Sequence, residues 1–256
     1  MSFQFEDCCP QLFFLRKGTS GPPEPLASSV LVNINGNYLL TANHVFEDKT
    51  MDEVIIFIGD NKIIRLYGDI GFYLPVGDKD NIDIAVLKLP EALVIDLSQR
   101  YKFLHHKNIA FTGLENDISG FFFYGFIAHQ TQLKGKIFES DLFGLLTNKK
   151  KIPADEPSGF NNHEHLWLTY NRRKQSFIDS TQRNLGPKDL RGLSGGGVWA
   201  VTQSATANRP AIIQLAGIMI EQRIDKGFII ASRMNMLIGI LNQKFGINPA
   251  SYIHFS

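Results

Sequence analysis

Short apolar runs, each bounded by turn residues, recur along most of the chain. Runs of about four to eight residues at this spacing predict β-strands, and their number is typical of a β-barrel or a β-sandwich. The clearest pair covers 28–34 and 37–42, and Asn35-Gly36 between them is a strong signal for a β-hairpin. Further strands are predicted at 54–58, 62–66, 82–89, 109–112, 121–126, 132–139, 165–170, 197–201, 211–221 and 227–232. The pattern therefore predicts an all-β fold.

One α-helix is predicted, near the C-terminus, over about 233–245. Ser232 is placed to cap its first turn, and Gly246 is placed to end it. Its apolar stripe consists of Met236, Leu237, Ile240, Leu241 and Phe245. By contrast, 141–163 is polar and contains Lys149-Lys150-Lys151, so we predict a solvated loop there. The polar region 113–119 separates two predicted domains, 1–112 and 113–256.

Composition narrows the classes of function. Lys and Arg together number 26 and Asp and Glu 25, so charge gives no reason to expect a nucleic acid or an anionic membrane as partner. No apolar run approaches the roughly 20 residues of a membrane-spanning helix. The first ten residues do not resemble a secretory signal, and the two cysteines are the neighbours Cys8 and Cys9, which rarely bridge each other. We therefore expect a cytoplasmic protein.

A glycine-rich loop at 191–199 (RGLSGGGVW) presents Ser194 between Gly192 and Gly195. Glycine permits turns closed to other residues and lets a ligand approach the backbone. Such a loop can expose a hydroxyl nucleophile beside backbone N–H groups, as acyl transfer requires. A plain turn between two strands has the same composition, so the interpretation depends on finding a base elsewhere in the chain.

His44 is the best candidate for that base, because it follows the strand at 37–42 directly, beside Thr41 and Ala42. A satisfied histidine at a strand end is the plainer alternative. His163 and His165 lie two residues apart and could share a face of a strand, but they have no third ligand in sequence, so we expect no metal and no cofactor. The remaining histidines are His105, His106, His129 and His254.

Asp83 is the best candidate for the group that orients the base. It begins a run that is apolar on both faces, and a carboxylate buried there needs a hydrogen-bond donor such as an imidazole N–H. Asp78 and Asp80 lie in the preceding turn and are more easily explained as solvated turn residues than as the orienting group.

A rival interpretation is the G-x-S-x-G nucleophile elbow of α/β-hydrolases, which 192–196 also fits. That elbow needs a strand before the serine and a helix after it. Here the preceding stretch is polar and the following one is strand-like, and the only later histidine is His254. The context excludes the elbow.

With His44, Asp83 and Ser194 in that order, the chain resembles the chymotrypsin/trypsin-like serine proteases. The matching segments are 40–45 (LTANHV), 83–89 (DIAVLKL) and 192–196 (GLSGG), and 215–220 (LAGIMI) is similar to the family's strand that pairs with substrate. Because the chain lacks both a disulfide framework and a secretory signal, it most resembles the bacterial, intracellular members of the family.

The resemblance implies two six-stranded antiparallel β-barrels with a C-terminal helix, and a site in the cleft between the barrels. It assigns Ser194 as nucleophile, His44 as general base and Asp83 as its orienter. It also implies an oxyanion hole formed by the backbone N–H groups of Gly192 and Ser194. By the same resemblance, the substrate-binding residues are Leu193, Ile220, Glu221 and Gln222.

The expected function is that of a serine endopeptidase acting on a protein or peptide through an acyl-enzyme. The alternatives are a catalytically silent module of the same fold that binds a peptide or protein, and an esterase on the same scaffold. Lys188 and Arg191 precede the serine and argue against cleavage after Lys or Arg. The sequence is also compatible with a regulatory protein partner.

Overall fold

The computed structural model is mostly β: 46% of the residues that it describes lie in strands and 18% are helical, and its sheets include a half-barrel. It describes residues 5–18, 20–59, 62–72, 82–111, 118–134, 137–140, 142–152, 160–173, 176–177, 189–202 and 211–248. The predicted all-β class with a C-terminal helix is confirmed at this level.

The first half of the chain forms two sheets. Its strands are β1 Gln11–Phe14, β2 Glu24–Ser28, β3 Val30–Asn33, β4 Asn37–Thr41, β5 Val54–Ile58, β6 Lys62–Arg65, β7 Asp69–Phe72, β8 Ala85–Lys88 and β9 Leu104–His105. One sheet has the order β2-β1-β5-β6 and the other β7-β8-β4-β3-β9. All pairs are antiparallel except β3 with β9. Only Ser29 separates β2 from β3, so the chain passes directly from one sheet into the other there.

The second half forms a seven-stranded sheet and a short hairpin. Its strands are β10 Ile118–Phe126, β11 Gln132–Lys134, β12 Ile137–Glu139, β13 Leu142–Thr147, β14 His165–Thr169, β15 Ser176–Phe177, β16 Gly197–Thr202, β17 Ile212–Arg223 and β18 Phe228–Arg233. The large sheet has the order β14-β18-β17-β16-β10-β13-β15, and β11 pairs with β12. Just beyond β13, the Lys150 N–H donates to the Trp167 carbonyl of β14 at 2.7 Å, which links strands from opposite sides of this sheet.

Among the described residues, the named strands before 112 pair only with one another, as do those after 118. An isolated bridge between Ile109 and Leu215 joins the two groups. An apolar cluster fills the space between the halves. It includes Val32, Leu40 and Val86 from the first half, Phe122, Trp199 and Leu215 from the second, and Leu237 and Ile240 from the C-terminal helix. The halves therefore pack on each other through a shared core. A second cluster of mainly first-half residues also takes in Trp167, Ile220, Phe228 and Ile230, and a third cluster lies within the second half.

The hairpin prediction is confirmed. β3 pairs with β4 in a register that puts Asn33 opposite Asn37, and the turn takes positive φ at Asn35 (50°) and Gly36 (142°). Asn and Gly tolerate this region of backbone space better than other residues. β5 has the predicted bounds, and most other predicted strands recur with ends shifted by a few residues. The single strand predicted at 132–139 is wrong, because this segment forms the antiparallel hairpin of β11 and β12. The prediction at 109–112 is wrong for its described part, where only the single bridge at Ile109 forms.

Two further predictions need correction. The prediction of a loop over 141–163 is wrong at its start, because that stretch contains β13. Phe143 and Leu145 of this strand are buried in the core of the second half. The chain also contains a helix that was not predicted, α1 Glu91–Leu97, which buries Leu93 and Leu97. Seven residues following an apolar strand are too few to show a helical period.

The C-terminal helix α2 spans Asn235–Phe245 and begins two residues later than predicted. Ser232 is not its cap. β18 continues to Arg233, so the Ser232 side chain is buried in the sheet and the N-cap position is Met234. The C-terminal prediction is confirmed, because Gly246 adopts φ +65° and its N–H bonds the Asn242 carbonyl.

Candidate active site

His44 and Asp83 meet because of the register between β4 and β8. In this antiparallel pair, Thr41 lies opposite Ala85. His44 follows Thr41 by three residues, in a short 3-10 helix at Asn43–Phe46, and Asp83 precedes Ala85 by two. The C-terminal end of one strand and the N-terminal start of its antiparallel neighbour lie at the same end of the strand pair. Two segments 39 residues apart in sequence are thereby brought together.

Asp83 holds both the ring and the backbone of His44. Its Oδ2 is hydrogen-bonded to His44 Nδ1, and its Oδ1 accepts the His44 backbone N–H at 2.9 Å. The Asp83 carbonyl accepts the Asn43 N–H at 3.4 Å. With Nδ1–H donating to a carboxylate, the neutral ring carries its lone pair on Nε2. Nε2 is therefore the atom available to accept a proton.

The hydrogen bond that His44 donates to Asp83 raises the pKa of His44 above its ordinary value of 6.5. Partial burial opposes this rise, while the negative charges of Asp83 and Glu47 add to it. The pair therefore favours the imidazolium form more than solvent does. A ring of this kind takes up a proton readily from a neighbouring hydroxyl.

Ser194 lies in the tight turn that leads into β16. Gly192 and Gly195 on either side have φ of +95° and +84°, in the region that favours glycine. Space is also short at Gly195, where a Cβ atom would lie 2.0 Å from the Ser28 carbonyl oxygen and 2.1 Å from Thr41 Oγ1. The glycines predicted from sequence as permissive turn residues are thus needed for close packing as well.

The backbone N–H groups of this turn divide into two sets. Leu193 donates to the Leu190 carbonyl, Gly195 to Met219 and Gly196 to Leu193, at 2.8–3.0 Å. Among the described residues, the N–H groups of Gly192 and Ser194 have no hydrogen-bond partner. These are the two donors that the sequence interpretation assigned to an oxyanion hole.

The peptide planes that carry these two donors are fixed from the other side. The Arg191 carbonyl accepts the Ala128 N–H at 2.8 Å, and the Leu193 carbonyl accepts the Gly196 N–H at 2.8 Å. Both peptides are trans, so each N–H points away from its bonded carbonyl. The donors of Gly192 and Ser194 are therefore held in place before any ligand binds.

Ser28, which sequence reasoning did not single out as a site residue, links this turn to the first half of the chain. Its hydroxyl donates to the Gly192 carbonyl at 2.7 Å and accepts the Phe126 N–H at 2.8 Å. Its backbone N–H donates to the Ser194 carbonyl at 2.9 Å. The side chain is fully buried. The available signal was the pair Ser28-Ser29, two polar residues at the start of a strongly apolar run, since buried hydroxyls require partners.

His44 and Ser194 line one cleft of about 310 Å³, together with Pro25, Leu26, Val45, Lys49, Ala128, His129, Asp189, Arg191, Gly192 and Gln222. Both halves of the chain contribute lining residues to this cleft. Within the part of the chain that the structure describes, no hydrogen bond joins Ser194 Oγ to His44. Contacts of this kind are often long without substrate and tighten when it binds.

The four predicted substrate-binding residues separate in the structure. Leu193 is fully buried in the core of the second half, and Ile220 packs in the core of the first half. Glu221 forms an ion pair with Arg223 at 2.6 Å. Gln222 alone of the four lines the cleft, where its Oε1 accepts the Leu190 N–H at 3.0 Å. This bond joins the end of β17 to the segment before the serine turn.

The histidine pair considered as a metal site does not gather further ligands. His165 is fully buried, and its Nδ1 accepts the Asn161 N–H at 3.3 Å. Among the described residues, no three His, Cys, Asp or Glu side chains are grouped so as to hold a metal ion. Asp78, Asp80, Lys188 and His254 lie outside the described residues. No helix in the described part of the chain is long and apolar enough to cross a membrane.

Comparison with known proteins gives no family for this chain: no protein-family model matches it, and no curated protein sequence does so either.

Proposed function

We propose that this protein is a serine endopeptidase with Ser194 as nucleophile, His44 as general base and Asp83 as the residue that orients His44. The observation that carries the proposal is the juxtaposition in one cleft of Ser194, the Asp83-bonded His44 ring and the two unpartnered N–H groups of Gly192 and Ser194. Nucleophile, base, orienter and oxyanion donors are the parts that acyl transfer requires.

The strand connections support a double-barrel architecture of the chymotrypsin type. In the first half, β2 runs into β3 across Ser29, and β6 and β7 follow each other closely, so the chain passes between the two sheets at two places. In the second half, hydrogen bonds just beyond β13 reach β14, the strand at the other edge of the large sheet. Two barrels of six strands each are the arrangement that the resemblance implies, and these connections are compatible with it.

The proposed reaction begins when Ser194 Oγ attacks the carbonyl carbon of a peptide bond and His44 Nε2 takes the hydroxyl proton. The N–H groups of Gly192 and Ser194 stabilise the negative charge on the carbonyl oxygen. The C–N bond then breaks, and His44 gives its proton to the leaving amine. A water molecule attacks the acyl-enzyme with His44 again as base, which releases the acid and restores Ser194.

A fluorophosphonate probe tests this proposal, because it reacts with serines activated in this way. We expect one adduct per chain, located on Ser194 by peptide mass spectrometry, and release of product from a mixed peptide library. Ser194→Ala and His44→Ala should abolish labelling. Ser119→Ala serves as the matched serine control, because Ser119 is exposed, donates its hydroxyl to the Val201 carbonyl at 3.0 Å and lies outside the cleft lining.

A folded wild-type protein that neither reacts with the probe nor cuts any peptide would contradict the proposal and favour a silent binding module. Probe labelling with ester hydrolysis but no peptide cleavage would instead favour an esterase.

A further inference from the structure

The polar side chains that line the cleft outside the proposed triad are mainly hydrogen-bond donors. They are Lys49, His129, Asp189, Arg191 and Gln222. Asp189 is the only carboxylate among them in the described part of the cleft, whereas Lys49 and Arg191 carry full positive charges. A substrate side chain entering this cleft therefore meets more donors than acceptors.

Asp189 is already engaged by its neighbour. Its Oδ1 accepts the Arg191 backbone N–H at 2.9 Å, and its Oδ2 accepts Arg191 Nε at 2.6 Å. Burial alone raises the pKa of Asp189, but the hydrogen bonds and charge of Arg191, together with the charge of His129, lower it overall. The carboxylate thus stays ionised and directed at Arg191, and it offers little to a cationic substrate.

Arg191 and Gln222 keep donors free for a ligand. Arg191 uses Nε for Asp189, which leaves its two terminal NH₂ groups, and its side chain is 78% exposed. Gln222 uses Oε1 to accept the Leu190 N–H, so its amide NH₂ is the group left, and that group has no partner among the described residues. Both residues line the same cleft as Gly192 and Ser194.

We infer that the cleft selects substrates with an acidic side chain on the residue whose carbonyl is attacked. This inference rests on the proposed function, because the N–H groups of Gly192 and Ser194 fix where that carbonyl lies. The side chain of the same residue begins one atom away from the carbonyl carbon, so it meets the wall formed by Arg191 and Gln222. A carboxylate there accepts hydrogen bonds from both, and the Arg191 guanidinium can bind it in a bidentate manner.

The test compares peptides that differ only at the residue before the cut bond, with Glu, Asp, Gln, Lys or Phe. We expect kcat/KM for Glu to exceed that for Gln by about tenfold or more, as a partly exposed charge pair allows. Raising the salt from about 0.05 M to about 0.5 M should reduce that ratio. Arg191→Gln should lower the ratio at least about fivefold, and Arg191→Glu should shift the preference toward Lys.

Two further variants separate the explanations. Arg191→Gln combined with Asp189→Asn removes both charges, and the acidic preference should still be lost. If the double variant kept the preference, the effect of Arg191→Gln would come from the freed Asp189 and the inference would be wrong. Lys62→Gln is the matched control, since Lys62 is an exposed cation paired with Asp96 at 2.8 Å and lies outside the cleft lining.

Binding to the Ser194→Ala variant keeps the inference testable without turnover. Fluorescence anisotropy of the same labelled peptides should show tighter binding for Glu than for Gln. Peptide cleavage without a preference for Glu would overturn the inference and leave the proposed function standing. Failure of the wild type to cut any peptide would overturn the proposed function and the inference with it, since no carbonyl would then be attacked.

Discussion

The hydroxyl of Ser28 donates a hydrogen bond of 2.7 Å to the carbonyl of Gly192, 164 residues further along the chain. The same hydroxyl accepts the Phe126 N–H, and the Ser28 backbone N–H donates to the Ser194 carbonyl. One residue of β2 in the first half thus holds the serine turn of the second half. The relative placement of His44 and Ser194 depends on such contacts, because the two residues are carried by different sheets.

Ser28→Ala should therefore slow acylation. It leaves the Gly192 carbonyl and the Phe126 N–H without their buried partner, at a cost of about 1–3 kcal/mol in the free energy of unfolding. A shifted turn also misplaces the oxyanion donors, so we expect kcat to fall about tenfold or more with little change in KM. Steady-state kinetics and the rate of fluorophosphonate labelling measure this loss.

Ser29→Ala is the matched control for Ser28→Ala. Ser29 is adjacent and equally buried, and its hydroxyl donates to the Pro10 carbonyl at 2.9 Å, away from the serine turn. We expect a smaller loss of unfolding free energy, because the Pro10 carbonyl keeps the Ser29 backbone N–H at 3.1 Å, and near-normal kcat. Equal losses of kcat in the two variants would show that Ser28 acts only through global stability.

Gly192→Ala should remove activity and lower stability together. Gly192 has φ +95°, and a Cβ atom there would lie 2.7 Å from the Ala128 nitrogen and 2.8 Å from the Phe126 carbonyl oxygen. These are backbone atoms that cannot move aside alone, so the turn must shift and its donor with it. We expect kcat to fall about 10²-fold or more, the scale for loss of one oxyanion donor.

Gly59→Ala isolates the cost of the backbone conformation. Gly59 has φ +59°, but a Cβ atom there would meet nothing within 4 Å. Gly59→Ala should lower the free energy of unfolding by about 1–2 kcal/mol through backbone strain alone and leave kcat unchanged. If thermal melts showed Gly192→Ala to be no worse than Gly59→Ala, and kcat were also retained, the packing argument at Gly192 would be wrong.

The pH profile of kcat/KM should report His44. The reaction needs the neutral ring, and the hydrogen bond that the ring donates to Asp83 raises the pKa of His44 above the ordinary 6.5. We therefore expect activity to rise with pH along a single-group acidic limb whose midpoint lies above that value. NMR titration of the His44 ring in the wild-type protein checks the assignment.

Asp83→Asn should change both the height and the position of this profile. Loss of the carboxylate lowers the pKa of His44, so the acidic limb moves to lower pH. The maximum rate should still fall by about 10⁴-fold, because an amide can hold the ring in the wrong tautomer. Full activity of a folded Asp83→Asn protein at neutral pH would remove Asp83 from the mechanism.

His44 should also contribute a pH-dependent part of stability. Since its pKa is higher in the folded state than in the unfolded state, the stabilisation is complete below about 6.5 and is lost as the pH rises through the folded-state pKa. Asp83→Asn should flatten this part of the dependence in denaturant melts recorded between about pH 5 and 8. A dependence equally steep in both proteins would assign it to another group.

The two cysteines should be inert in the folded protein. Cys8 and Cys9 are 0% and 1% exposed, with Sγ atoms 3.9 Å apart. The hydrogen bond with Cys9 and burial together raise the pKa of Cys8 well above the usual thiol value, so little reactive thiolate is present. A thiol-specific reagent should label neither cysteine in the native protein and both cysteines in denaturant. Rapid native labelling would contradict this burial.

Short sequence signals at turns and helix ends predicted several elements of the fold. Asn35-Gly36 predicted its hairpin, and Gly246 predicted the end of α2, because turn and cap conformations depend on a few adjacent residues. Ser232 was misassigned as a helix cap because a serine near a helix start does not reveal that β18 extends past it. The polar composition around β13 likewise masked a strand whose buried face is set by neighbours distant in sequence.

By itself, the sequence of this protein determined the β-rich class and the candidates His44, Asp83 and Ser194, since each lies in a local pattern that its chemistry requires. Only the tertiary structure decided which of them meet. The β4–β8 register joins Asp83 to His44, and Ser28 fixes the serine turn across the two halves. It also showed that Leu193 is a core residue and that Asp189 is occupied by Arg191. Contacts between strands far apart in sequence depend on register and packing, which no local pattern contains.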